Sequence, residues 1–284
     1  AYLLNEDISE HENQSQTNEV FSNKWDAYSK EDISEQEKLF SFQREWYLKL
    51  YGFSSEEDLA SYLRKKPVIV DAGCGLGYKA KWFADLAPDS MVIGIDYSDA
   101  AFVAAERYQT TKNLFFVKGD IADTELLTDS VDYVSCDQVI MHTEHPEETF
   151  KELTRILKPG NDFAVYVYTK KDFPRELIDD AFRIRAKTIS HDEMMDFSRQ
   201  LTELGKKLSE LKVDIDVPDI SLLGIKGGKM DLKRFIYWNF LNCFWNEDLG
   251  YATSVATHYD WYSQSNAKRY SDDEFKAMVT ENKL

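Results

Sequence analysis

The chain has 284 residues, 43% hydrophobic and 30% charged, a balance that supports a buried core and speaks against intrinsic disorder. Its formal net charge of −17 argues against nucleic acid or an anionic membrane as partner, since phosphate binding needs clustered Lys and Arg. No stretch approaches the roughly 20 apolar residues that span a bilayer, and the acidic N-terminus lacks the basic-then-apolar order of a signal peptide.

In chain order, residues 1 to about 20 are polar, without an apolar period, and read as a mobile leader. From residue 21 to 66 aromatics recur at helical spacing (Phe21, Trp25 and Tyr28, then Phe42, Trp46 and Leu50), which predicts a helical N-terminal extension. Residues 67–169 alternate β-branched runs with helical patterns, the mark of a parallel sheet with crossover helices. The predicted strands are Val68–Asp71, Met91–Asp96, Leu114–Gly119, Val131–Cys136 and Phe163–Thr169. Helices are expected at Tyr78–Ala87, from a Ser98 cap to Tyr108, and at Pro146–Lys158, stopped by Pro159-Gly160. Residues 170–262 break the alternation and predict a largely helical, aromatic-rich insertion. Within it Met194, Phe197, Leu201, Leu204, Leu208 and Leu211 form a helical stripe, read as core packing or as a lid or dimer face. Residues 263–284 read as a final helix returning to the sheet. The fold class expected is α/β: a Rossmann-like, doubly wound, mostly parallel sheet with that extension and that insertion after the fifth strand.

Chemistry concentrates in VIVDAGCGLG, where an apolar strand runs into a glycine loop and then a helix. Gly73, Gly75 and Gly77 allow the backbone to approach a ligand closely, and Asp71 precedes them. A nicotinamide-binding loop more often reads G-x-G-x-x-G, so this spacing leans away from a dehydrogenase without excluding one. The next strand ends in Asp96, 25 residues after Asp71, where a carboxylate can accept both hydroxyls of a ribose. The third ends at Asp120-Ile121 and the fourth at Asp137-Gln138. Acids at the C-terminal ends of four successive strands mark the edge where open α/β sheets bind ligands.

These motifs resemble the class I S-adenosylmethionine-dependent methyltransferases, particularly the small-molecule branch related to quinone-biosynthesis enzymes, over about residues 20–169. The resemblance implies S-adenosylmethionine as donor and S-adenosylhomocysteine as product. It places the glycine loop around the methionine part, Asp71 near its amino group and Asp96 on the ribose. Tyr97 then packs on the adenine, Asp120 contacts its amine with Ile121 beside the ring, and Asp137 and Gln138 stand near the methyl. TRILKPGNDFAVYVY is similar to the family's fifth-strand signature, with Asn161 in place of a second glycine. FSNKW, with Trp25 and Tyr28, resembles a helical cover over the cofactor; core packing explains the same residues equally well. Tyr28 is the better candidate for an aromatic face against the sulfonium. The family closes its sheet with an antiparallel pair after the last helix, and its absence here leads us to expect that the sequence is cut short.

Methyl transfer needs a base only when the acceptor loses a proton as it attacks. His142, in QVIMHTEHPEE, is the candidate base, with loop ordering as the alternative, and His145 is a candidate substrate neighbour. In the insertion, Lys226 and Lys229 stand among flexible glycines and read either as solvated surface or as a pocket for an anionic group. Tyr259, Trp261 and Tyr262, in a segment similar to one in the family's relatives, are further substrate candidates. The expected partner is a small-molecule acceptor of unknown reacting atom. No His, Cys and acid cluster has metal-ligand spacing. Three scattered cysteines, Cys74, Cys136 and Cys243, fit a reducing compartment, with the cytoplasm as default. Oligomeric state is open, a homodimer included. The rival readings are a NAD-dependent oxidoreductase on the same sheet and a catalytically silent cofactor-binding or interaction protein.

Overall fold

Short apolar runs bounded by turn residues pair side by side, because each is buried on both faces and needs helices above and below. A computed structural model describes residues 2–3, 12–29 and 33–284, the side chains of residues 2, 3, 12, 24, 26–29, 33–35 and 39 excepted. The chain divides into two compact units, Ala1–Tyr168 with Lys268–Leu284, and Thr169–Ala267.

In the first unit, strands β1 (Tyr2–Leu3), β2 (Val68–Ala72), β3 (Met91–Asp96), β4 (Leu114–Lys118), β5 (Val131–Cys136) and β6 (Leu157–Val165) form one sheet. Their order is β1-β4-β3-β2-β5-β6 and every neighbouring pair is parallel. From β2 the chain moves outward through β3 to β4, then returns to β5 on the other side, so the strand order reverses between β2 and β5. That reversal opens a crevice at the C-terminal ends of the strands. Helices α1 (Glu12–Ser29), α2 (Ile33–Leu50) and α3 (Glu56–Leu63) precede the sheet, and α4 (Tyr78–Leu86), α5 (Ala100–Arg107) and α6 (Pro146–Ile156) cross between its strands. One core packs Tyr47, Leu59 and Leu63 with Trp82, Phe83 and Phe116. The other packs Val70, Ile95, Val134 and Phe150 with Tyr270 and Met278, the latter from the last helix, α11 (Asp272–Glu281).

In the second unit α7 (Phe173–Ala186), α8 (His191–Leu211), α9 (Leu232–Asn239) and α10 (Gly250–Ser263) pack together, and an antiparallel hairpin of β8 (Asp214–Val217) and β9 (Gly228–Asp231) leads into α9. Two-residue strands, β7 (Tyr168–Thr169) and β10 (Arg269–Tyr270), lie where the chain leaves and re-enters the first unit.

Four expectations are corrected. The leader is helical from Glu12, with Thr17 and Val20 buried, and residues 4–11 lie outside the described part. The fifth long strand is Leu157–Val165 rather than Phe163–Thr169, and its partner helix ends at Ile156. Pro159-Gly160 falls in an irregular stretch between the pairs Val131–Leu157 and Tyr133–Asp162, a bulge that tolerates a proline without an N–H. The N-cap residue of α5 is Asp99 rather than Ser98; Ser98 stands one residue earlier, its hydroxyl donating to Asp96 Oδ1 at 2.6 Å and accepting the Ala100 N–H at 3.3 Å. On α8 the buried face runs through Met194, Ser198, Leu201, Thr202 and Gly205, leaving Leu204 and Leu211 exposed. A Cβ on Gly205 would lie 2.3 Å from the Cys243 carbonyl oxygen, so close backbone approach sets the helix's rotation.

Candidate functional site

The glycine loop is built by three backbone conditions. Gly73, Gly75 and Gly77 have φ of +76°, +51° and +76°, the left-handed region that side chains disfavour. The N–H groups of Gly73 and Cys74 both donate to the Ile95 carbonyl, at 2.8 and 3.0 Å, which ties the loop to the end of β3. Space is equally restrictive, for a Cβ at Gly73 would fall 2.4 Å from Val139 and one at Gly75 2.8 Å from the Trp25 indole. Trp25 of α1 therefore lies on the loop. The side chain of Tyr28, the preferred aromatic candidate, lies outside the described residues.

Asp96 is the loop's second anchor. Its Oδ2 accepts the Gly75 N–H at 2.7 Å, and its Oδ1 accepts the N–H and hydroxyl of Ser98 at 2.9 and 2.6 Å. Burial raises its pKa while these three donors pull it down. A carboxylate offers about four acceptor positions, so one remains for a ligand hydroxyl. Asp120 accepts the Ala122 N–H at 2.8 Å in a tight turn, Ile121 is buried in the core, and Tyr97 is half-buried.

Asp71 is wholly buried at the end of β2 and ion-pairs with Lys79 Nζ at 3.0 Å. Beyond that pair neither carboxylate oxygen has a hydrogen-bond partner. Burial raises the Asp71 pKa and the Lys79 charge lowers it, the rise prevailing. Lys79 shows the converse: burial works against its charge, but Asp71 and Asp137 outweigh it and its pKa lies above the ordinary lysine value. Asp137, at the end of β5, accepts the Tyr51 hydroxyl at 3.0 Å. Beneath, Tyr47 and Tyr133 share a 2.6 Å hydrogen bond, and Tyr47 also donates to Ser135 at 3.2 Å. Gln138, exposed, holds φ +60°, a conformation uncommon outside glycine and one that collects at functional edges.

A sequence profile described as a methyltransferase domain matches residues 70–165, the span from β2 through β6 that carries this loop and these acids. Residues 70–165 are a class I S-adenosylmethionine-dependent methyltransferase domain. The chain is 32% identical over 108 residues to the sterol 24-C-methyltransferase of Aspergillus fumigatus, covering 37% of this chain and 28% of that enzyme. The Saccharomyces cerevisiae sterol 24-C-methyltransferase is 30% identical over 114 residues, 39% of this chain and 30% of that one. The match thus spans less than a third of either curated relative. Among solved structures, phosphoethanolamine N-methyltransferase 2 of Haemonchus contortus is 29% identical over 37% of this chain and 25% of its own, with a TM-score of 0.34, too low to carry an argument.

Within the methyltransferase domain, His142 sits on a 3-10 turn just after β5, 5% exposed, its ring 5.1 Å from that of Phe21 and 5.3 Å from that of Tyr168. His145 is exposed at the start of α6. Among the described residues no group of three or more His, Cys, Asp or Glu gathers as a metal site would.

The remaining candidates lie in the second unit. Tyr262 is corrected: it is fully buried and its hydroxyl donates to Asp179 Oδ1 at 2.7 Å, so it belongs to the core. Trp261 donates from its indole to Asp179 Oδ2 at 2.9 Å, and Arg175 Nε bonds both oxygens at 2.9 Å, completing one network. Tyr259 meets His191 Nδ1 at 2.9 Å. Lys226 and Lys229 are exposed on and beside the hairpin, with Lys229 3.2 Å from Asp214; a solvated surface, not an anion pocket, describes them. Sequence reasoning missed Lys79, Tyr47 and Tyr51. The available signal was a lysine in the first turn of a helix, where the dipole favours an acid.

Proposed function

We propose that this chain transfers a methyl group from S-adenosylmethionine to a small-molecule acceptor. The observation that carries the reading is Gly75, whose left-handed backbone and 2.7 Å bond to Asp96 fold a glycine-rich loop at the ends of β2 and β3. The donor fits what is present. Buried Asp71 oxygens that accept no hydrogen bond beyond the Lys79 pair suit an ammonium, and the spare acceptor position of Asp96 suits a ribose hydroxyl.

When bound, S-adenosylmethionine supplies a methyl carbon already activated by its sulfonium. The chain then has to bind and orient. Asp96 accepts the ribose, Tyr97, Asp120 and Ile121 receive the adenine, and Gly73, Gly75, Gly77 and Asp71 hold the methionine end. Asp137 and Gln138 would face the methionine and methyl, with Trp25 of α1 as cover. Holding donor and acceptor in line can contribute up to roughly 7 to 11 kcal/mol of barrier lowering. His142 accepts the acceptor's proton where one must leave. Acceptor choice belongs to the second unit, a separately packed body. Three free, buried cysteines favour a reducing compartment such as the cytoplasm.

A thermal-shift panel with S-adenosylhomocysteine, S-adenosylmethionine and NAD tests the reading. The two adenosyl compounds should raise the melting temperature. Stabilisation by NAD alone would overturn it.

A further inference from the structure

Lys79 occupies an unusual place. It is the second residue of α4, capped by Gly77, and that helix has no acid in its first turn. A lysine there opposes the helix dipole, whose N-terminal end favours anions. Its ammonium lies against a carboxylate that is 0% exposed, and its own side chain is 20% exposed. An ammonium has three donors. Lys79 directs one to Asp71, the Asp137 charge also acts on it, and the Tyr47 ring centroid lies 5.8 Å from its ammonium. Donors are therefore left over, beside a glycine loop and at a helix N-terminus.

We infer that Asp71 and Lys79 form a zwitterion clamp, in which Lys79 binds the carboxylate of the donor's amino-acid end while Asp71 takes its ammonium. The inference rests on the proposed donor and adds a residue to it. The 3.0 Å pair keeps each charge compensated before ligand arrives. An amino acid's ammonium and carboxylate can then answer both charges together, so neither is left buried and unpaired. The paired charges of the ligand match those of the clamp in number and sign.

Two ligands that differ only in the carboxylate test this: S-adenosylhomocysteine and its decarboxylated amine, titrated calorimetrically against the full chain. In the wild type the amine should bind about 10- to 100-fold more weakly, the range of one charge-assisted hydrogen bond. In Lys79→Met the ratio should fall to about one, because the homocysteine compound weakens while the amine does not, and Lys79→Arg should restore most of it. A wild-type ratio near one overturns the clamp without reference to any variant's folding. So does a Lys79→Met protein, or a Lys79→Gln protein where Met folds poorly, that keeps the wild-type ratio. If the wild type binds neither compound, the donor reading itself fails, and the clamp with it.

Discussion

His258 offers a quantitative test of the second unit. It is wholly buried on α10, and the Phe244 N–H donates to its Nε2 at 2.9 Å. Nε2 must therefore be the unprotonated acceptor, and Nδ1 carries the proton, directed at the Ser254 carbonyl at 2.9 Å with Thr202 Oγ1 at 3.0 Å. Protonating Nε2 would set two donors face to face in a dry site. Burial accordingly lowers the pKa from 6.5 to about 4. Because the folded pKa is depressed below the unfolded one, the unfolded state binds the extra proton first. Stability is full above pH 6.5 and drains away as pH falls toward 4. At about 1.4 kcal/mol per pH unit, the interval of about 2.5 units allows a loss of about 3.5 kcal/mol, an upper figure for one group. Urea unfolding from pH 7.5 to 4.5 should show this loss in the wild type and a smaller one in His258→Gln, whose amide oxygen can still accept from Phe244. Parallel profiles, within about 0.5 kcal/mol across the range, would refute both the tautomer and the burial argument.

Gly75→Ala places a side chain at φ +51° and a Cβ 2.8 Å from the Trp25 indole. A cost of about 1–2 kcal/mol should lower the melting temperature by roughly 2–8 °C, and adding Trp25→Ala should recover only part, since the backbone strain stays. His142→Ala should cut turnover at least about tenfold with S-adenosylhomocysteine affinity unchanged; unaltered turnover removes the base role. Asp179→Asn strands the buried Arg175 charge and should cost about 3–5 kcal/mol of stability in denaturant titrations, against about 1–2 kcal/mol for Tyr262→Phe. Equal losses from the two would show that the ion pair is not the network's centre.

The sheet was legible because strands buried on both faces read as apolar runs, and Met91–Asp96 and Val131–Cys136 begin and end where the sequence places them. Asp71, Asp96, Asp120 and Asp137 were legible for the same reason: each closes or follows such a run. What escaped was structure decided at a distance. Leu157–Val165 looks like a helix end and a turn because Pro-Gly punctuates it, yet pairing with β5 holds it as a bulged strand. The helical period that begins at Phe21 announces only the second half of the helix from Glu12; its first half buries only Thr17 and Val20 among the described residues, too little to show in the sequence. Tyr51 and Asp137 are 86 residues apart, and Asp179 and Tyr262 are 83 apart. Spacing reports which face of an element is apolar. It does not report which polar group waits there, so Tyr262, whose residue type is more often core than pocket wall, still reads as a substrate candidate.

The acids at the strand ends are each engaged before any ligand is considered. Asp96 holds Gly75 and Ser98, Asp71 holds Lys79, and Asp137 holds the Tyr51 hydroxyl. A carboxylate so placed does two jobs: it fixes the element that contributes the next contact, and it presents its remaining lone pairs to a ligand. Replacing Asp96 would therefore loosen the glycine loop as well as remove a ribose acceptor, and lost affinity alone would not separate the two. Lys79 can be separated, because its spare donors answer to a carboxylate that can be deleted from the ligand while the protein stays intact. The donor end of the site is thus best dissected by changing the ligand one group at a time, and the protein only afterwards.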